Sequence, residues 1–159
     1  MLSATDDGGR RNVSNQSETA LPAATADLVD LLTRTQRALA RDLGAVLEDE
    51  GTSVDQWRVL RALDGAEGRS MGELAADVEI PHPTLTRIVD TLVDSAYLYR
   101  SQSARDRRRV SVHVSDLGRR KLRRLDALAV AHEQAMAARL GPDTVATLSA
   151  MLRSVRERL

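Results

Sequence analysis

Along most of the chain, apolar residues recur every three or four positions, which predicts a helical protein. From about 25 to 48, Leu28, Leu32, Leu39, Leu43, Val46 and Leu47 make one stripe. Gly51 can take the left-handed conformation that ends such a helix. Ser53 and Gln56 then form a capping box, opening a helix that carries Trp57, Leu60 and Leu63. Ser70 and Glu73 repeat that signature, and the helix to 78 uses Met71, Leu74, Ala75 and Val78. Ile80 precedes Pro81 and is pushed out of the α region, so this helix breaks there. The pattern resumes over 83 to 95. Leu85, Ile88, Val89, Leu92 and Val93 share one face, and Pro83 fits the first turn, where its missing N–H is harmless.

The period then changes from 3.6 to 2. Val110, Val112 and Val114 alternate with Ser111 and His113, a half-buried strand whose partner is Leu98-Tyr99-Arg100. Ser115 caps a long helix with Asp116 in its first turn, and Leu117, Leu122, Leu125, Leu128, Ala129, His132, Ala135, Met136 and Leu140 follow at helical spacing. Gly141-Pro142-Asp143 stops it and starts a last helix striped by Val145, Leu148, Leu152, Val155 and Leu159. Two short helices joined by a tight turn and followed by a hairpin predict a mainly α, winged helix-turn-helix fold over about 53 to 114. The helices at 25–48 and 115–159 form a dimerisation region, because their stripes have no partner within a helix-turn-helix core. Residues 25–159 are expected to be one domain. Residues 1–24 are rich in Ser, Thr, Asp, Gly, Asn and Gln, and are expected to be a disordered tail.

Charge sharpens this picture. The 159 residues sum to zero net charge, yet residues 81–125 hold eleven Lys/Arg against four Asp/Glu, a net of +7, and the remainder is −7. One basic segment in a neutral protein implies a localised anionic partner. Such a partner is double-stranded DNA if a helix and a basic hairpin present it. The candidate base-reading and phosphate-contacting residues are His82, Thr84, Thr86, Arg87 and Thr91, the polar remainder of the 83–95 helix. Arg87 suits either a guanine edge or a phosphate. Arg105, Asp106, Arg107, Arg108 and Arg109 crowd the hairpin tip, and arginines there suit a narrow, electronegative minor groove. Arg119, Arg120, Lys121, Arg123 and Arg124 sit where a helix N-terminus disfavours cations, which points to DNA backbone or acidic neighbours.

Four stretches in series carry a family resemblance: Gly72-Glu73-Leu74-Ala75, Thr86-Arg87-Ile88-Val89-Asp90-Thr91-Leu92, Asp106-Arg107-Arg108 and Val114-Ser115-Asp116-Leu117-Gly118. In order and spacing the chain resembles the multiple-antibiotic-resistance regulator (MarR) family over roughly 27 to 158. The resemblance implies a dimeric transcription factor, often a repressor released by a small molecule. It implies that Asp106 orients the hairpin by pairing an arginine and that Arg108 enters the groove. It also implies a small aromatic or anionic ligand between the dimer helices and the helix-turn-helix, which here involves Trp57 and His132. Two departures stand out. Prolines flank His82 where the family more often has polar residues, and the absence of Cys removes the thiol-peroxide branch.

Other function classes find little support. There is no nucleophile elbow or phosphate-cradling Gly loop, so no enzyme is expected. His82, His113 and His132 lack metal-ligand spacing and Cys is absent, so neither a metal nor a cofactor is expected. No apolar run is long enough to span a bilayer and no signal-peptide core opens the chain, so no membrane partner and a cytoplasmic location are expected. Two rivals to a sequence-specific regulator remain at this level: a ligand sensor acting through protein contact, and a non-specific architectural DNA binder.

Overall fold

A computed structural model describes residues 24–102 and 110–159. Most of the expected tail and the whole hairpin tip, including Arg105, Asp106, Arg107, Arg108 and Arg109, lie outside the described residues. The elements run α1 (Ala24–Glu48), α2 (Val54–Leu63), α3 (Met71–Val78), α4 (His82–Asp94), β1 (Leu98–Gln102), β2 (Val110–Val114), α5 (Asp116–Leu140) and α6 (Pro142–Arg156). The chain divides into two compact units between Thr35 and Gln36, within α1. In the first unit, the Arg34 guanidinium pairs with Asp30 at 2.8 Å one turn away, and Leu28, Val29 and Leu31 are exposed.

The second unit is built on its caps. Ser53 Oγ accepts from the Gln56 N–H while Gln56 Oε1 accepts from the Ser53 N–H, and Ser70 and Glu73 do the same for α3. Each box satisfies N–H groups that a helix start leaves unpaired. Gly51 has φ +63°, as its position after α1 requires. The end of α3 departs from expectation: Glu79, one residue before Ile80, takes the left-handed conformation and turns the chain before Pro81 is reached. Pro81 then caps α4, so that helix begins at His82 with Pro83 in its first turn.

The core gathers one face of each element. Val59, Leu60 and Leu63 of α2, Leu74 and Val78 of α3, and Leu85, Val89 and Leu92 of α4 are buried. Leu98, Val112 and Val114 of the hairpin and Leu122 and Leu125 of α5 complete the cluster with Leu47. A fully buried Leu or Val contributes roughly 1.5–3 kcal/mol, so α4 is held by its three anchors rather than by its short length. β1 and β2 pair antiparallel, Leu98 opposite Val114 and Gln102 opposite Val110. On the other edge of β2, Arg69 and Val112 exchange two backbone hydrogen bonds at 3.0 and 2.7 Å, a third short rung that sequence periodicity does not reveal. Val110 is exposed, unlike Val112 and Val114, because it lies beyond the core toward the tip.

The buried stripe of α5 keeps Leu122 and Leu125 of the predicted one and differs at its start. Gly118 and Lys121 face inward with Leu122 and Leu125, whereas Leu117 is exposed. Two contacts set this phase. A Cβ at 118 would overlap the Tyr97 carbonyl oxygen and stand 2.9 Å from Val114 Cγ2, so only glycine lets α5 lie this close to the end of α4. The ammonium of Lys121 donates to the Glu50 carbonyl and, at 2.8 Å, to the Glu50 carboxylate. The acidic neighbour that the cationic helix start calls for is thus Glu50 for Lys121 and Asp116 for Arg119, the latter at 2.8 Å.

Candidate nucleic-acid interface

Helix α4 presents its polar residues by simple rotation. At 100° per residue, Thr84, Arg87 and Thr91 fall on one line, and all three are exposed opposite Leu85 and Val89. Thr86 does not join them. It is half-buried on the other flank, and its hydroxyl donates to the His82 carbonyl at 2.9 Å. The Thr91 hydroxyl likewise donates to the Arg87 carbonyl at 2.9 Å. His82 is exposed at the helix start. The structure therefore brings together Thr84, Arg87 and Thr91 beside His82, and sets Thr86 apart.

Ion pairs fix the surrounding elements. On β1, Arg100 Nη2 donates to Asp90 Oδ1 of α4 at 2.5 Å, joining the hairpin to the exposed side of the helix. Arg69 pairs with Asp77 of α3 at 2.8 Å, next to the backbone rung it makes with β2. Arg58 of α2 donates to the Val78 carbonyl at 2.5 Å, at the turn between α3 and α4. Inside the hairpin the rings of Tyr99 and His113 stack with centroids 5.0 Å apart, and Ser101 Oγ lies 3.3 Å from His113 Nε2. Asp90, Arg100 and Arg69 escape a search by periodicity, since each is a solvent-facing charge whose partner is distant in sequence. The spacing of Asp90 and Arg87 on α4 is the one sequence signal that Asp90 borders the polar line.

A three-helix core with a two-stranded hairpin that is pinned to the exposed helix is the frame of a winged helix-turn-helix. Residues 50–109 match the sequence profile of the MarR family. Over that stretch, which holds the helix-turn-helix and the hairpin, the chain is similar to the MarR family. Among similar proteins, the HTH-type transcriptional regulator YpoP of Bacillus subtilis (strain 168) is 25% identical over 96 residues, which are 60% of this chain and 67% of that relative. The fold is similar to that of the transcriptional repressor CouR bound to a 23-mer DNA duplex, with a TM-score of 0.75 and 28% identity, covering 84% of this chain and 95% of that one. It is also similar to a mutant of MarR from E. coli complexed with operator DNA, with a TM-score of 0.72 and 25% identity, covering 81% of this chain and 93% of that one. The MarR family is one of DNA-binding transcriptional regulators, and the proteins to which this chain is similar are regulators of that kind. No helix among the described residues is long and apolar enough to cross a membrane.

The chain also has a cavity of about 490 Å³ between the C-terminal half of α1, α2 and α5. Leu39, Leu43, Val130 and Met136 give it an apolar wall, and both Trp57 and His132 line it. Trp57 is half-buried at the edge of the core, and its indole N–H donates to Asp126 Oδ1 at 2.8 Å. Arg61 lies over the same indole, 4.8 Å from its centroid, and 3.8 Å from the same Asp126 oxygen. Arg61, Asp126 and Glu133, the charged groups of the lining, have helical positions that periodicity assigns to a solvated face.

Proposed function

We propose that this regulator is a repressor that binds an imperfect palindrome in double-stranded DNA as a homodimer, in the cytoplasm, and is released by a small ligand. The exposed line of Thr84, Arg87 and Thr91 on a helix whose opposite face is anchored in the core carries this reading. A helix held that way reads base edges in a major groove. Arg87 is the strongest candidate for a guanine edge, with Thr84 and Thr91 beside it, Thr86 at the flank and His82 near a phosphate. Arg105, Arg107, Arg108 and Arg109 of the hairpin tip are the candidates for the minor groove, and Asp106 is the candidate for orienting the hairpin by pairing an arginine.

The homodimer is supported by uncovered apolar surface. Leu148, Met151, Leu152 and Val155 of α6 are each more than a third exposed, as are Leu28, Val29 and Leu31 in the first unit. Soluble monomers rarely leave such stripes in water, and burial recovers roughly 25 cal/mol per Å². A two-fold pair then presents two recognition helices to half-sites about 34 Å apart. The domain arrangement follows: a tail at 1–24, a winged helix-turn-helix at about 53–114, and dimerisation helices at about 25–48 and 115–159. The cavity beside Trp57 and His132 is the site proposed for the ligand.

Titration of the full chain against an operator-length duplex and a random duplex, over a series of salt concentrations, tests this. A specific-to-random affinity ratio of about 10³ or more is expected. Equal affinity for both duplexes would leave only an architectural role, and salt-insensitive binding would remove the DNA reading.

A further inference from the structure

We propose that the cavity between α1, α2 and α5 takes an aromatic amine, a ligand with an apolar body and a cationic head that pairs with Glu133, and not an aromatic acid. The inference rests on the proposed ligand site and runs against the anionic ligand that the family resemblance implies.

Charge accounting within the lining carries it. A ligand carboxylate needs a cationic donor that is not already committed. Arg61, the one Arg or Lys of the lining, is stacked on Trp57 at 4.8 Å and lies 3.8 Å from Asp126. Asp126 is itself held in place by the Trp57 N–H at 2.8 Å. A carboxylate entering here has to displace Asp126 from Arg61 while Asp126 stays fixed beside it. The cluster of Trp57, Arg61 and Asp126 is neutral as it stands.

Glu133 remains. It lies two helical turns beyond Asp126 on the same face of α5, about 10 Å along the axis. It lines the cavity, is exposed, and is in no ion pair among the described residues. His132, the remaining polar side chain, offers one donor and one acceptor as a neutral imidazole. The lining thus has one uncommitted full charge, and it is negative. An ammonium group placed on Glu133 leaves the ring of the same ligand to lie along Leu39, Leu43 and Met136.

Trp57 is the only tryptophan in the chain, so its fluorescence reports on this cavity directly. Three ligands of matched size are titrated into the full chain: 2-phenylethylamine, 2-phenylethanol and phenylacetate. The amine is expected to bind about fivefold more tightly than the alcohol, the scale of one partly exposed ion pair, and phenylacetate is expected to bind most weakly. Glu133→Gln should bring the amine to the level of the alcohol and leave the alcohol unchanged. Phenylacetate binding as tightly as the amine, or an amine preference that survives Glu133→Gln, overturns the inference. If all three bind alike, the charge assignment fails while the ligand site stands. If none perturbs Trp57 or binds by calorimetry, both fail together.

Discussion

Arg100 on β1 and Asp90 on α4 are joined by a 2.5 Å hydrogen-bonded ion pair that spans the junction between the hairpin and α4. Both side chains are partly exposed, so the pair contributes at most about 1 kcal/mol to stability. The pair also ties β1 to α4, so its loss is expected to act on how the hairpin is held against that helix. Asp90→Asn is expected to leave the urea midpoint nearly unchanged and to weaken operator binding by about tenfold, roughly 1.4 kcal/mol. The reciprocal pair of substitutions, Asp90→Arg with Arg100→Asp, should restore part of that loss. Anisotropy titrations beside urea unfolding check this, and an unaltered affinity for Asp90→Asn would dismiss the orienting role.

Gly118 is where α5 touches the turn after α4. Its replacement by alanine forces a Cβ onto the Tyr97 carbonyl oxygen, which is backbone and cannot swing aside. Gly118→Ala should therefore destabilise the fold by about 1–3 kcal/mol or more, despite alanine's better helix propensity. Chemical denaturation gives the value, and a stabilised variant would show that the close approach is wrong.

Glu50 links stability to pH. The hydrogen bond from Lys121, then its positive charge, hold the Glu50 carboxyl below the ordinary glutamate range. A depressed folded-state value means that the stabilisation is complete above the unfolded value near 4.3 and is lost as pH falls through the folded one. Glu50→Gln should flatten the acid side of the stability curve by up to about one proton. It should also lower the neutral-pH melting temperature, because buried Lys121 then lacks its counter-charge. Melting curves from neutral pH to about pH 3 decide the matter; superimposable acid limbs in wild type and variant would contradict it.

The arginines of the helix and the tip should separate by what they read. Arg87→Ala is expected to relax preference at one base position by about 1–3 kcal/mol. Arg108→Ala should weaken binding to all duplexes and reduce the salt slope by about one. An unchanged slope for Arg108→Ala, or equal loss on operator and random duplex for Arg87→Ala, reverses these roles.

Local signals in the sequence are strong wherever the structure is held by neighbours along the chain. Both capping boxes, the anchors Leu85, Val89 and Leu92 of α4, the alternation of 110–114 and the Ser115 cap can be read directly, since each rests on a fixed offset of two to four residues. What periodicity does not give is what distant groups decide. Lys121 looks like one more surface cation until Glu50 is seen to receive it. The phase of α5 depends on Gly118 fitting against Tyr97, and the character of the cavity depends on Asp126 meeting both Trp57 and Arg61. Within the candidate interface, exposure of His82, Thr84, Arg87 and Thr91 agrees with the helical pattern, while Thr86 belongs to another flank because successive residues turn by 100°.

Selection of bound duplexes from a random pool, followed by sequencing, tests the central claim most directly. Paired recognition helices predict enrichment of two inverted half-sites whose centres are about one helical turn, roughly 10–10.5 base pairs, apart. Enrichment of a single unpaired half-site, or of no sequence at all, would contradict a two-fold regulator that reads DNA through α4.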